Sequence, residues 1–328
     1  MAIRIFGTGH YTPERILTNA DLEKIVDTSD EWITTRTGIK QRHIAPADMP
    51  TSEMALIAAQ RAIEDAGIDK NEIGFISVAT ATADYRFPST ACVLQGKLGI
   101  QKCACYDIAA ACSGLLYSLD IGTNLLRGHK NHKYGLIVGA EKLSFLADWS
   151  DRATCVLFGD AASAVIIGRD DSVEEDFLLG SDLGADGSRT NLLIQPAGGT
   201  ACPSTPENVL THAHRLNMEG PEVFKLAVPA MVRSAKKVLE ETGISSAELR
   251  WVIPHQANKR IIDAVFARLE VEPEQMVVNI ENYGNTSAAS IGICLDMLNR
   301  NGQLRRGDLV LMTSFGAGLT WATTLIRW

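Results

Sequence analysis

The chain has 328 residues, of which 46% are hydrophobic and 21% are charged, and its formal net charge at pH 7 is −8. This composition is typical of a globular protein with a large buried core, and the length allows one large domain or two of moderate size. The acidic balance argues against a general nucleic-acid binder, and the lack of an apolar run of roughly 20 residues argues against a membrane protein. The start of the chain is typical of a strand rather than of a signal peptide, so we expect a cytoplasmic protein whose seven cysteines are reduced.

Strands and helices alternate along the chain. The apolar periodicity predicts, in chain order, a strand in Met1–Gly7, a helix in Glu53–Ala66, a strand in Gly74–Ala79, a helix in Cys112–Leu126, a strand in Gly135–Gly139, a helix in Val223–Thr242, a strand in Trp251–Pro254, helices in Lys259–Leu269 and Ser287–Asn299, and a strand in Leu309–Thr313. Between the two series, Gln195–Asn208 is rich in proline and is predicted to be a surface loop or lid. The alternation favours an α/β protein with buried sheets.

Part of the sequence is repeated. The runs Glu64–Ile68 and Glu240–Ile244 match at an offset of 176 residues, and at an offset of 174 the helix that begins at Cys112 falls on one that begins at Thr286. A duplication of this kind predicts two halves with the same order of elements, residues 1–175 and 176–328. In such a pair, the turn at Cys112 would face the turn at Asn285.

Cys112 lies where a strand-like stretch passes through small residues into an apolar helix. Unpaired N–H groups and the helix dipole stabilise a thiolate at such a position, so we expect the pKa of this thiol to be lowered. The small neighbours would leave room for a reacting carbonyl. The alternative is a core cysteine that fills a gap between apolar side chains.

Two further turns carry polar side chains at the ends of strands. His255 follows the strand Trp251–Pro254, and Asn285 precedes the helix of Ser287–Asn299. Taken singly, His255 could be a capping residue and Asn285 an ordinary N-cap. Cys103 and Cys105 do not have the CxxC spacing of a metal or redox site, and His212 and His214 have no second ligand pair nearby, so we expect no metal site.

Cys112, His255 in the run HQAN and Asn285 in the run NYGNTS together resemble the Cys-His-Asn set of the thiolase-fold condensing enzymes. The whole chain is similar to the β-ketoacyl-acyl-carrier-protein synthase III family, and the further runs that carry this resemblance are Gly7–Gly9, Asp30–Ile33, Arg36–Ile39, Phe158–Ala162 and Thr313–Trp321. The resemblance implies a thiolase-like α/β fold, in which two pseudo-twofold related halves form an α-β-α-β-α core. Ala161 and Ala317 stand where the family usually has glycine, which puts in doubt any positive φ at those positions.

The reaction implied by the resemblance is a decarboxylative Claisen condensation. An acyl group, acetyl or another short chain, would move from coenzyme A to Cys112 and would then be attacked by the carbanion of malonyl-acyl-carrier protein, which starts type II fatty acid synthesis. The backbone N–H groups of Cys112 and Ala317 would hold the oxyanion, and His255 and Asn285 would stabilise the enolate. Elongating synthases have a second histidine in place of this asparagine, so Asn285 favours a priming enzyme. No cofactor is expected, because coenzyme A is a substrate.

The resemblance also implies binding residues. Trp32 and Arg152 would sandwich the adenine of coenzyme A, and Thr28, Arg36 and Asn258 would contact its phosphates and pantetheine arm. Lys259, Arg260 and Arg268 would form a basic patch for the acidic carrier protein. Phe87 would reach across a homodimer interface and close the partner's acyl pocket around short primers. The alternatives are a core tryptophan at Trp32, a solvated helix face at Lys259 and Arg268, and plain dimer packing at Phe87.

Other functions remain open at this point. A condensing enzyme or acyltransferase of secondary metabolism would have the same fold. A thioester hydrolase with a Cys-His-Asn triad would use the same three residue types, although the doubled α/β pattern does not fit a papain-like fold. A non-catalytic scaffold subunit is disfavoured by the presence of Cys112, His255 and Asn285.

Overall fold

A computed structural model of the chain describes residues 2–172 and 174–328, so Met1, which the predicted first strand included, and Val173 lie outside the described residues. The strands, numbered in chain order, are β1 (Ala2–Tyr11), β2 (Ile16–Thr18), β3 (Gln41–His43), β4 (Ile73–Ala79), β5 (Ala104–Ile108), β6 (Tyr134–Lys142), β7 (Asp160–Asp170), β8 (Leu178–Ala185), β9 (Leu193–Ile194), β10 (Asn217–Met218), β11 (Trp251–Pro254), β12 (Leu309–Gly316) and β13 (Thr320–Arg327). The α-helices are α1 (Asn19–Leu22), α2 (Asp30–Thr37), α3 (Thr51–Ala66), α4 (Thr90–Leu98), α5 (Gly114–Gly128), α6 (Leu143–Leu146), α7 (Pro206–Leu210), α8 (Gly220–Thr242), α9 (Lys259–Leu269), α10 (Ile280–Tyr283) and α11 (Ser290–Arg300).

The two larger sheets of the described residues repeat one topology. The first has the strand order β1-β7-β6-β4-β5 and the second has the order β8-β13-β12-β11. In both sheets the first two strand pairs are antiparallel, and the third pair, β6/β4 in the first sheet and β12/β11 in the second, is parallel. Each strand of the second sheet therefore has a counterpart in the first, which confirms the predicted α/β architecture built from two repeated halves.

The core consists of helices and sheets in five layers. Helices α5 and α11 lie between the two sheets, where Leu119 and Leu295 pack with Phe75 of one sheet and Met312 of the other. Helices α3 and α4 cover the outer face of the first sheet, and α8 and α9 cover that of the second. The layers thus follow the predicted α-β-α-β-α order, and the central pair of helices brings the turns before α5 and α11 together.

Those two turns define the true register of the repeat. A turn of 3₁₀ helix over Ala111–Ser113 precedes α5, and a matching one over Ser287–Ala289 precedes α11. Their offset is 176, so the residue equivalent to Cys112 is Ala288, and the predicted alignment with Thr286 at an offset of 174 is wrong.

The limits of several elements differ from the sequence prediction. Strands β7, β8 and β13 and helix α4 were not predicted, because their small and hydroxyl side chains give no clear apolar period. The predicted loop at 195–208 ends early, since α7 begins at Pro206. The predicted division at 175/176 falls between the end of β7 and the start of β8, and it stays a prediction. Within 2–172 and 174–328, no helix combines the length and the apolar character needed to cross a membrane.

Candidate active site

A cavity of about 710 Å³ lies where the two halves meet. Its walls include Cys112 from the first half and His255, Asn285, Ser287 and Ala317 from the second. The three residues predicted to be catalytic are therefore brought to one cavity. The cavity lies at the ends of β11 and β12 and at the turns that open α5 and α11.

Cys112 lies in the turn between β5 and α5, against the last residue of β12. A Cβ atom on Gly316 would lie 2.7 Å from the backbone nitrogen of Cys112, so only glycine allows this close approach. Ala317 follows directly and also lines the cavity. Its φ is not positive, and neither is that of Ala161, so both alanines fit the backbone where the family usually has glycine. Apart from bonds internal to helices and strands, no backbone carbonyl of the described residues accepts the N–H of Cys112 or of Ala317, and their role as oxyanion donors stays a prediction.

The thiol of Cys112 is not ionised at neutral pH. Burial raises its pKa to about 12, hydrogen bonding with the Ser287 side chain acts in the opposite direction, and the carboxylate of Glu141 adds to the rise. The predicted lowering of this pKa is therefore wrong. The second half of the chain encloses the sulfur, and this desolvation outweighs the favourable position before a helix.

His255 is a neutral hydrogen-bond donor at the end of β11. It is 2% exposed, and burial lowers the pKa of its imidazole to about 3. Its Nδ1 lies 2.7 Å from Oγ of Ser290. The same oxygen accepts the backbone N–H of Gln256 over 3.4 Å, so the Ser290 hydroxyl hydrogen is free to donate to Nδ1. With Ser290 donating to Nδ1, the ring proton lies on Nε2, the nitrogen left for the cavity.

Asn285 is held at both its backbone and its side chain. Its N–H donates to the carbonyl of Leu157 over 2.8 Å, and its own carbonyl accepts from Gly159 over 3.0 Å. Its Oδ1 accepts the N–H of Ser287 over 2.9 Å. The N-cap of the following 3₁₀ turn is Thr286, so the alternative in which Asn285 is an ordinary N-cap is wrong. Because this hydrogen bond uses Oδ1, the Nδ2 amide group remains for a ligand.

Glu141, at the end of β6, is a buried carboxyl next to the cavity wall. It is fully buried, and burial raises its pKa to about 7. Its oxygens accept from the N–H of Ala81 over 3.0 and 3.2 Å, from Oγ1 of Thr82 over 2.8 Å and from Oγ of Ser287 over 2.9 Å. Sequence reasoning missed Glu141, Ser287 and Ser290. The available signal was the placement of one glutamate directly after the apolar run of β6.

The mouth of the cavity contains Trp32 and Arg36. The guanidinium carbon of Arg36 lies 4.7 Å from the Trp32 ring centroid, and that of Arg152 lies 5.0 Å from it. Trp32 and Arg152 are thus neighbours, as predicted, but they contact each other directly. An adenine between them would require the Arg152 side chain, whose Nη1 donates to the carbonyl of Asp27 over 3.0 Å, to move outward.

The remaining predicted coenzyme A contacts lie on or near α2 and α9. Asn258 is the N-cap of α9, and its Nδ2 donates to the carbonyl of Arg36 over 3.1 Å. Thr28 does not line the cavity, although its buried hydroxyl has no hydrogen-bond partner among the described atoms. The structure thus brings Asn258 and Arg36 together at the mouth and leaves Thr28 outside it.

The predicted basic patch lies on one helix, α9. Arg260 is exposed and lines the cavity mouth, and its Nη2 donates to the carbonyl of Thr35 over 3.2 Å. Lys259 forms an ion pair with Asp263 over 2.5 Å, and Arg268 is exposed at the far end of the helix. Of the three cations, Arg260 therefore lies nearest the site.

Phe87 is 86% exposed and does not line the cavity of its own chain. Tyr85 in the same segment is 61% exposed. Two large rings on one exposed segment form an apolar surface that is costly to leave in water. The placement agrees with a segment that would contact a second protein surface.

Comparison with known proteins agrees with this geometry. The family models for 3-oxoacyl-[acyl-carrier-protein (ACP)] synthase III and for its C-terminal part match residues 106–187 and 239–328. The chain is 48% identical to beta-ketoacyl-[acyl-carrier-protein] synthase III of Caldanaerobacter subterraneus subsp. tengcongensis, over 100% of this chain and 98% of the relative.

Solved structures show the same relationship. The crystal structure of 3-oxoacyl-[acyl-carrier-protein] synthase III from Aquifex aeolicus VF5 has a TM-score of 0.90 and 45% identity and covers 100% of both chains. The priming β-ketosynthase from the R1128 polyketide biosynthetic pathway has a TM-score of 0.91 and 34% identity and covers 99% of this chain and 96% of that one. These likenesses confirm the predicted thiolase-like fold class. The chain belongs to the β-ketoacyl-acyl-carrier-protein synthase III family and is an acyltransferase of the condensing type.

Proposed function

We propose that this synthase III transfers a short acyl group, acetyl in the first place, from coenzyme A to Cys112 and condenses it with malonyl-acyl-carrier protein. The observation that carries the proposal is the convergence, on one cavity, of the Cys112 thiol and two neutral donor groups, His255 and Asn285. This product would be the first β-ketoacyl chain of type II fatty acid synthesis.

In the first step, the sulfur of Cys112 attacks the thioester carbonyl of the acyl-coenzyme A. The carbonyl oxygen becomes an oxyanion, which the N–H groups of Cys112 and Ala317 stabilise. Loss of one such donor typically slows a reaction by about 10² to 10³. Coenzyme A leaves as its thiolate, and the acyl group remains on sulfur as a reactive thioester.

In the second step, the malonyl group loses carbon dioxide and its thioester becomes an enolate. The negative oxygen accepts hydrogen bonds from Nε2 of His255 and Nδ2 of Asn285. Both donors are uncharged, because burial lowers the pKa of His255 to about 3, so they stabilise the enolate without protonating its carbon. That carbon attacks the acyl group on Cys112, and the sulfur leaves as a thiolate.

The binding residues follow from their placement around the mouth. Trp32, Arg36, Arg152 and Asn258 would contact coenzyme A, with Thr28 behind them, and the adenine would displace Arg152 from Trp32. Arg260 would meet the acidic carrier protein first, supported by Lys259 and Arg268 on the same helix. No cofactor or metal takes part in this proposal.

We also propose a homodimer in the cytoplasm. The exposure of Phe87 supports a dimer in which this ring enters the partner's acyl pocket and limits the primer to short chains. A role in secondary metabolism is the second candidate, because the chain is also 34% identical to a priming β-ketosynthase of a polyketide pathway.

The decisive experiment supplies a panel of acyl-coenzyme A thioesters together with malonyl-acyl-carrier protein and identifies the products by mass. We expect acetyl-coenzyme A to add one acetyl group to the intact protein and to give acetoacetyl-carrier protein. Cys112→Ser should lose the added mass, with Cys92→Ser, an exposed free thiol, as the matched control. Acylation retained in Cys112→Ser, or release of free acid without condensation, would contradict the proposal. A preference for branched or aromatic primers would favour secondary metabolism.

A further inference from the structure

One buried acid has no role in the reaction as described so far. Glu141 is fully buried at the end of β6, where four groups donate hydrogen bonds to its carboxylate within 3.4 Å: Ala81, Thr80, Thr82 and Ser287. Burying an ionisable acid carries a free-energy cost even when it is hydrogen-bonded, and an apolar residue would fill the same volume more cheaply. Its position one hydroxyl away from the nucleophile calls for an explanation.

Ser287 connects Glu141 to Cys112. Its Oγ donates to Oε1 of Glu141 over 2.9 Å, and the same side chain lines the cavity beside Cys112 and acts on its thiol. Ser287 is 4% exposed and lines the cavity, so the three groups form a continuous chain from the cavity surface into the core. A hydroxyl can donate one hydrogen bond while it accepts another, which is what transfer of a proton between two neighbours requires.

The thiol needs a proton acceptor, and His255 is unsuited to the task. Burial keeps the Cys112 thiol protonated at neutral pH. The Nδ1 of His255 is engaged by the hydroxyl of Ser290, and burial lowers the pKa of the imidazole to about 3, so this ring is a weak proton acceptor. In the described part of the chain, Glu141 is the acid whose charge acts on the thiol.

We propose that Glu141 is the proton acceptor for Cys112 and that the hydroxyl of Ser287 carries the proton between them. As sulfur attacks the acyl carbonyl, the S–H proton passes to Oγ of Ser287 while the hydroxyl proton of Ser287 passes to Oε1 of Glu141. Coenzyme A leaves as a thiolate and takes its proton from water. After condensation expels the Cys112 thiolate, the proton returns from Glu141 through Ser287. The inference rests on the proposed acylation of Cys112.

Other charged groups near Glu141 are already engaged. Asp160, on the neighbouring strand β7, accepts from Ser144 and from the N–H of Ala45, and the Nζ of Lys142 donates to the carbonyls of residues 46, 47 and 49. His255 is neutral. The pKa of Glu141 is raised by its burial, and the hydrogen bonds from Thr82, Ala81 and Ser287 act against that rise. Because its pKa is raised to about 7, the carboxylate that accepts the proton becomes abundant only above that pH.

The test compares the rate of acetyl transfer to Cys112 in wild type, Glu141→Gln, Ser287→Ala and the double variant, from pH 6 to pH 9, by intact mass. General-base catalysis contributes about 10² to 10⁴ in rate, so each single variant should lose at least about 10². The double variant should lose no more than either single one, because both changes break the same path. In Glu141→Gln the inflection near pH 7 should disappear. Asp160→Asn, which changes a buried carboxyl outside the cavity lining, is the matched control.

The opposite outcome is well defined. If Glu141 only repels the thiolate, the Glu141→Gln substitution should lower the pKa of Cys112. The variant would then be acylated at least as fast as the wild type at every pH, and this result would overturn the proposal. Additive losses in the double variant would also overturn it. Should Glu141→Gln fail to fold, the pH profile of Ser287→Ala decides, because that variant keeps the carboxyl in place. A wild-type protein that is not acylated at Cys112 would instead overturn the proposed function.

Discussion

The replacement of Asn285 by aspartate would test how the site handles enolate charge. Aspartate has the shape of asparagine, and its Oδ1 can keep the hydrogen bond from the N–H of Ser287, which is 2.9 Å long in the wild type. The single change is at Nδ2, where a donor becomes an acceptor. Asn285→Asp therefore removes one of the two enolate donors without altering the packing, and it adds a charge of the same sign as the enolate.

The size of the effect follows from the surroundings of Asn285. Loss of one preorganised donor typically slows a reaction by about 10² to 10³, so Asn285→Ala should show this loss at every pH. Asn285→Asp should lose more at pH 8, because its carboxylate repels the enolate. Asn285 is 7% exposed, and burial raises the pKa of the nearby Glu141 carboxyl to about 7. Burial should likewise raise the pKa of the new carboxyl, so at the acidic end of the pH range it should become protonated and its O–H should restore part of the activity.

The assay separates the two half-reactions. Acetyl transfer to Cys112 is followed by intact mass, and condensation of the acetylated protein with malonyl-acyl-carrier protein is followed by product mass from pH 5.5 to 8.5. We expect both variants to keep acetyl transfer within a few-fold of wild type. The reasoning is refuted if Asn285→Asp has the same flat pH profile as Asn285→Ala, or if both variants lose the two half-reactions equally.

Four further predictions concern the support of the site and its mouth. Ser290→Ala should slow condensation roughly tenfold while acetyl transfer persists, because Nδ1 of His255 loses the hydroxyl 2.7 Å away. Equal condensation rates in the wild type and in Ser290→Ala would exclude a positioning role for Ser290. Burial lowers the pKa of His255 to about 3, below its unfolded value of 6.5, so the unfolded state binds the proton first as the pH drops. Below pH 6.5, His255 should therefore lower the free energy of unfolding by about 1.4 kcal/mol per pH unit. Urea unfolding of His255→Asn at pH 7 and pH 5 should lack that contribution. Arg260→Glu should raise KM for malonyl-carrier protein in a salt-dependent way and leave acetyl transfer unchanged, and the exposed Arg305→Glu should do neither. Phe87→Thr should admit longer acyl primers, and sedimentation of a fully active monomer would contradict the dimer on which this prediction depends.

The positions of the main reactive groups could be predicted because they follow a local rule. Cys112 and His255 follow the strands β5 and β11, whereas the turn of Asn285 opens a helix as predicted but follows α10, so the prediction that Asn285 lies at a strand end is wrong. A reactive residue type at the end of a predicted strand can be recognised from the sequence alone. The order of layers followed from the same alternation of apolar segments.

Properties that depend on the partner half could not be predicted in this way. The pKa of Cys112 is raised because the second half buries the sulfur, whereas its own segment indicates only a helix start. Ser287 and Glu141 are 146 residues apart in the chain, and nothing local to either indicates the hydrogen bond between them. Arg152 and Trp32 were correctly paired, but the direct contact between them depends on side-chain freedom that a motif does not encode.

The turns before α5 and α11 share one backbone conformation. Ala111 and Ser287, which are equivalent under the repeat, have φ of 46° and 48°, and the residues before them, Ala110 and Thr286, have ψ of 24° and 22°. A left-handed conformation at a residue with a side chain is uncommon and costs free energy, often at functional sites. Here the half without the nucleophile, with Ala288 in place of Cys112, has the same conformation. The unusual turn therefore does not depend on the reactive side chain. The two halves differ in the side chains that this shared backbone presents, Cys112 on one turn and Ala288 with Ser287 beside it on the other.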